Sequence, residues 1–81
     1  MFEPFLKTGD IVRDIPNLIR AQESLTDPDT IATLSNSASL LNWYLDDVNW
    51  VGFYLWNDES QELVLGPFQG LPACIRIKPG R

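Results

Sequence analysis

The run Asn49-Trp50-Val51-Gly52-Phe53-Tyr54-Leu55-Trp56 constrains this chain more than any other segment. Aromatic and β-branched side chains fill it, and such residues fit a pleated strand. Both alternating faces are apolar, so the strand is expected to be central in a sheet and covered on both sides. Gly52 within it marks a bulge or a close backbone approach. Asn57-Asp58-Glu59-Ser60 is a polar turn. Glu62-Leu63-Val64-Leu65 follows as a second strand, and the short connection predicts an antiparallel hairpin.

Two helices are expected before this hairpin. Apolar residues at Ile11, Ile15, Leu18, Ile19 and Ala21 make a partial helical stripe ending near Ser24. Proline suits a first turn, so Pro16 predicts a start near Asp14 or Ile15. Residues 1–10 read as a loosely held lead-in, broken by Pro4 and Gly9. In the second helix Asp27 is the expected N-cap, with Pro28 at the first helical position and Asp29 favouring the positive dipole end. Ile31, Leu34, Ala38, Leu41, Leu45 and Val48 then recur at helical spacing, while Ser35, Asn36, Ser37 and Ser39 allow close approach to a sheet. The Asp46-Asp47 pair is expected as a solvated, frayed helix end.

After the hairpin, Gly66-Pro67-Phe68-Gln69-Gly70-Leu71-Pro72 is expected to be irregular, since glycine and proline crowd it. It is either a mobile loop or a plain connection. Cys74-Ile75-Arg76-Ile77 reads as a short third strand, and Lys78-Pro79-Gly80-Arg81 as a turn. The fold class is α/β of the α+β type: an antiparallel sheet with helices on one face, residues 11–81 forming the body. Few strands are available to flank a central one, so the domain is expected to be incomplete or completed by another chain. A mini-domain with an exposed sheet edge is the alternative.

Charge and residue content narrow the function. Six Lys and Arg against eleven Asp and Glu give a net charge of −5, which disfavours a phosphate backbone as partner. Apolar runs are too short for a membrane span, and no secretory leader is visible. One cysteine and no histidine exclude a Ser/His/Asp triad, a Cys/His dyad, an imidazole metal site and an internal disulfide. A cytoplasmic setting is the simplest expectation. The acidic pair Asp27 and Asp29 reads as a helix cap, so no metal site is expected.

Cys74, Trp50 and Tyr54 are the candidate functional residues. Cys74 is either a small buried apolar residue or a reactive thiol. Arg76 is a candidate activating cation, on the same face as Cys74 if that segment is a strand. Trp50 and Tyr54 share a strand face and are either core aromatics or a pocket wall.

The segments NWVGFY, from Asn49 to Tyr54, and LVLGPFQGLPACIRI, from Leu63 to Ile77, resemble the signature of the free methionine-R-sulfoxide reductases, which are small GAF-domain proteins. IATLSNSASLL, from Ile31 to Leu41, and the junction Asp47 to Trp50 fit as well. Leu71, where the family usually carries Lys, and Lys78-Pro79, where it usually has Pro and then a small residue, depart from the pattern.

The resemblance implies a GAF-like antiparallel sheet with helices on one face and a ligand pocket on the other. It implies reduction of the R epimer of free methionine sulfoxide by thiol and disulfide chemistry. Cys74 then matches a resolving cysteine, and Trp50 and Tyr54 match substrate-pocket aromatics. No bound cofactor is implied; thioredoxin is the expected external reductant. The attacking cysteine, the cysteine of a GVCG run, and the acids that hold the substrate amine match no position up to Arg81. Free methionine sulfoxide, thioredoxin and a second copy of the chain are the expected partners. The alternative function is a GAF-type small-molecule-binding or self-association module without catalysis; a residual gene fragment is a third.

Overall fold

The computed structural model describes residues 2 and 4–80. Met1, Glu3 and Arg81, which belong to the expected lead-in and final turn, lie outside the described residues. Two helices precede three strands: α1 Ile11–Ser24, α2 Thr30–Tyr44, β1 Trp50–Asn57, β2 Glu62–Gly70 and β3 Arg76–Ile77. This is the expected α+β order. The sheet is antiparallel in the order β1-β2-β3, and α2 packs against β1 and β2.

Helix α1 begins earlier than Pro16 suggested. Asp10 caps it, its Oδ1 accepting the Val12 N–H at 3.1 Å. Asp14, buried one turn in, accepts hydrogen bonds from the Thr8 N–H at 3.1 Å and the Thr8 hydroxyl at 3.0 Å. These contacts hold the first turn, so Pro16 falls just inside the helix, where it costs one backbone hydrogen bond.

Helix α2 also corrects its expected start. Asp29 is the N-cap, accepting from the Ala32 N–H at 2.9 Å. Asp27 instead accepts from the Asp29 N–H at 2.7 Å in the turn before it. The helix ends at Tyr44, short of Asp46 and Asp47, with Leu45 as C-cap. Its buried residues are Ser37, Ala38, Leu40 and Tyr44, while Ile31 is exposed.

The lead-in is pinned rather than loose. The Phe5 ring stacks on Tyr44 with centroids 3.8 Å apart. The Tyr44 hydroxyl accepts the Phe5 N–H at 2.9 Å and donates to the Phe5 carbonyl at 2.8 Å. The Lys7 ammonium reaches the carbonyls of Trp43 and Tyr44 at 3.4 and 3.3 Å and the Asp46 carboxylate at 3.1 Å. A cation thus sits at the negative end of α2. Phe2, Phe5, Leu18 and Leu25 close over a core of Ala21, Leu40 and Tyr44.

Strand β2 runs through the segment expected to be irregular. Gly52 faces Phe68 and Tyr54 faces Leu65. Gly66 and Pro67 therefore oppose Phe53 alone. This is a bulge on β2, and it places Pro67, which has no N–H to give, where the ladder is already broken. Strand β1 is not central: among the described residues it pairs only with β2.

Much apolar surface stays uncovered. The chain exposes 6207 Å², against about 4,900 Å² for a compact monomer of its mass. Its radius of gyration is 14.6 Å, where a compact chain of this length has about 12 Å. Ile11, Val12, Ile15 and Ile19 on α1 and Leu55 and Trp56 on β1 are exposed. Among the described residues, no helix is long and apolar enough to cross a membrane.

Candidate functional site

Strand alternation brings Trp50, Gly52 and Tyr54 to one face of β1, and the register sets Gly70, Phe68 and Leu65 opposite them. The two glycines make room for the indole. A Cβ on Gly52 would approach Trp50 Cη2 to 2.7 Å, and one on Gly70 would approach Trp50 Cδ1 to 2.9 Å. Gly70 also has φ of 132°, which side chains rarely tolerate. The Trp50 ring lies flat in this gap. It stacks on Phe68 with centroids 5.6 Å apart, and on Tyr54 at 6.1 Å.

The Trp50 indole N–H is buried and has no hydrogen-bond partner. Buried donors are almost always paired, and an unpaired one costs about 1–3 kcal/mol.

Cys74 lies in the irregular segment between β2 and β3, outside the strand expected for it. It is exposed, so the buried apolar role does not apply. The Tyr54 hydroxyl donates to the Cys74 carbonyl at 2.7 Å. The structure thus brings Tyr54 and the Cys74 backbone together, and the Tyr54 ring stacks on Trp50.

Arg76 does not serve the thiol by the route expected. Strand β3 is only Arg76–Ile77, so the shared-face argument with Cys74 lapses. The Arg76 guanidinium instead donates to the Glu62 carboxylate at 2.8 Å. Glu62 is buried. A hydrogen bond from Ser60 first, and then Arg76, holds its carboxyl below the usual range against the opposing effect of burial. The bridge ties β3 to β2.

Phe68 is the site residue that propensity missed. It sat in a segment expected to be a loop, and only the bulged register places it under Trp50. A GPFQG run beside a strand with its own glycine is the signal that two backbones approach closely. The mobile-loop reading of 66–70 is replaced by a strand.

The surface clefts lie elsewhere. One of about 300 Å³ is lined by Phe2, Pro4, Leu25, Asn36, Leu40 and Trp43; another lies along α1 near Asn17, Arg20 and Ser24. Neither of these two touches Trp50, Tyr54 or Cys74. Among the described residues, no group of three or more Cys, Asp or Glu side chains gathers as a metal site would need.

Comparison with known proteins finds no matching family model. Free methionine-R-sulfoxide reductase of Escherichia coli is 47% identical over 90% of this chain and 40% of its own length. The solved free methionine-R-sulfoxide reductase of Neisseria meningitidis, in complex with its substrate, is 37% identical, with a TM-score of 0.91 over 100% of this chain and 49% of that one. A solved GAF domain is 30% identical, with a TM-score of 0.78 over 96% of this chain and 48% of that one. The chain spans about half the length of the curated relatives it matches, or less.

Proposed function

Because the chain is a piece of a GAF-type domain of the free methionine-R-sulfoxide reductase family, we propose that it supplies one wall and one thiol of a site that reduces free methionine (R)-sulfoxide. The observation that carries this reading is the join between Tyr54 and Cys74, made by a 2.7 Å hydrogen bond from a tyrosine whose ring stacks on the Trp50 indole. Trp50 and Tyr54 grip the polarizable S-methyl end of the substrate.

A thiolate attacks the sulfoxide sulfur, and the oxygen ends on the cysteine as a sulfenic acid while methionine leaves. A second thiol displaces water from the sulfenic acid, giving a disulfide. Thioredoxin, through its own dithiol, returns the disulfide to two thiols by exchange. No resident cofactor takes part, and the setting is the reducing cytoplasm. Cys74 acts as the resolving thiol. It is the only cysteine of the chain, so the attacking sulfur is supplied by other polypeptide. The exposed isoleucines of α1 support self-association, which the mass in solution reads directly.

The test is a thioredoxin-coupled assay following NADPH oxidation with free methionine (R)-sulfoxide. The chain alone shows no sustained turnover. Steady turnover by it would overturn the assignment of Cys74 as a resolving thiol that needs a partner.

A further inference from the structure

Residues 71–75 have little to hold them. They form no regular element, and Leu71, Pro72, Cys74 and Ile75 are exposed. Burial therefore contributes little to fixing the segment that carries the thiol. Two hydrogen bonds tie it to the sheet. One is from the Leu65 N–H to the Ile75 carbonyl, 2.8 Å, at the approach to β3. The other is the Tyr54 hydroxyl to the Cys74 carbonyl, 2.7 Å, at the cysteine itself.

A phenol has a single O–H to donate. In this structure Tyr54 gives it to Cys74 and has none left for a ligand oxygen. Its ring meanwhile is set by Trp50 and by Leu65 across the strand pair. The hydroxyl is thereby aimed from a strand at a loosely held backbone, the arrangement of a peg rather than of a free pocket donor.

We propose that Tyr54 is a positioning residue for Cys74: its hydroxyl is the latch that fixes the thiol-bearing segment beside the aromatic face. The importance of the latch rests on the reading of Cys74 as a redox thiol; its existence does not. Without it the segment keeps only its attachment at Ile75, and the Cys74 sulfur swings free of the site.

The experiment uses the 81-residue chain, no sulfoxide and no turnover. In the unmodified chain the Cys74 carbonyl carbon resonates downfield of the same residue in a free Leu-Pro-Ala-Cys-Ile peptide, as an accepted hydrogen bond requires. In Tyr54→Phe it moves upfield to the peptide value. Amide exchange at Leu65 and Ile77, on the β2–β3 ladder, rises about fivefold, the effect of one lost hydrogen bond on local opening. Exchange at the β1–β2 pair Leu55 and Val64 stays unchanged, which separates the latch from a general packing role. A peptide-like carbonyl shift in the unmodified chain overturns the proposal even if the variant does not fold. So does a Tyr54→Phe chain with carbonyl shift and exchange unaltered. A closed latch on a thiol that never enters the sulfoxide reaction would leave this inference standing and remove the proposed function instead.

Discussion

Tyr44 and Tyr54 are the two tyrosines of the chain, and the molecule uses them in opposite ways. Tyr44 is 4% exposed, stacked on Phe5, and its hydroxyl both accepts and donates. Burial first of all raises its pKa, so it stays neutral and bonded across the ordinary pH range. Both the donor and the acceptor role of its hydroxyl are filled within the chain. Tyr54 is half-buried, donates once to a backbone carbonyl, and lies against an indole whose own N–H is unmatched. A saturated aromatic cluster holds a fold together; an aromatic cluster with a spare donor and an exposed thiol beside it has capacity left for something else.

The contrast breaks first at its structural end. Tyr44→Ala removes the stacked ring and both hydroxyl hydrogen bonds together, an expected loss of about 3–5 kcal/mol. In a chain with so thin a core this means no cooperative thermal transition above room temperature by circular dichroism. A transition within a few degrees of the original would show that the lead-in is not what secures α2.

At the aromatic face, Gly52→Ala puts a methyl against Trp50 and Phe68. The expected cost is about 1–3 kcal/mol from overpacking. Indole fluorescence should shift to the red as the Trp50 ring is pushed from its gap. Stability lost without a fluorescence change would place the strain in the strand pair and not in the indole.

The smallest effect is at the β2–β3 tie. Glu62 has a folded-state pKa below its unfolded value. Its contribution is present above the unfolded value, about 4.3, and is lost as pH falls through the lower folded one. Exchange protection at Ile77 should therefore fall on acidification below about pH 4, and Arg76→Met should flatten that dependence. Protection that rises with acid would reverse the sign and remove the bridge from the account.

Part of this was legible before any coordinates. A strand pair, expected at 49–56 and 62–65, the two helices, and the shared face of Trp50 and Tyr54 all follow from periods of two and 3.6 residues. Those periods depend on neighbours a few residues apart, which the sequence displays directly. A likeness to known signature segments likewise singled out Cys74.

The rest was decided by contacts between distant residues. Phe5 meets Tyr44 across 39 positions, and no local pattern announces that a lead-in will be pinned. Pro67 ends regular structure by propensity, yet it extends β2 because the bulge opposite Phe53 needs no N–H from it. Arg76 was free to face Cys74 until the register of β2 and β3 placed it on Glu62. Sequence by itself determined the order of two helices and a strand pair and the shared face of Trp50 and Tyr54, because backbone preference and alternation are local. Only the tertiary structure decided what each polar group is bonded to, because a hydrogen-bond partner is chosen by position in space and not along the chain.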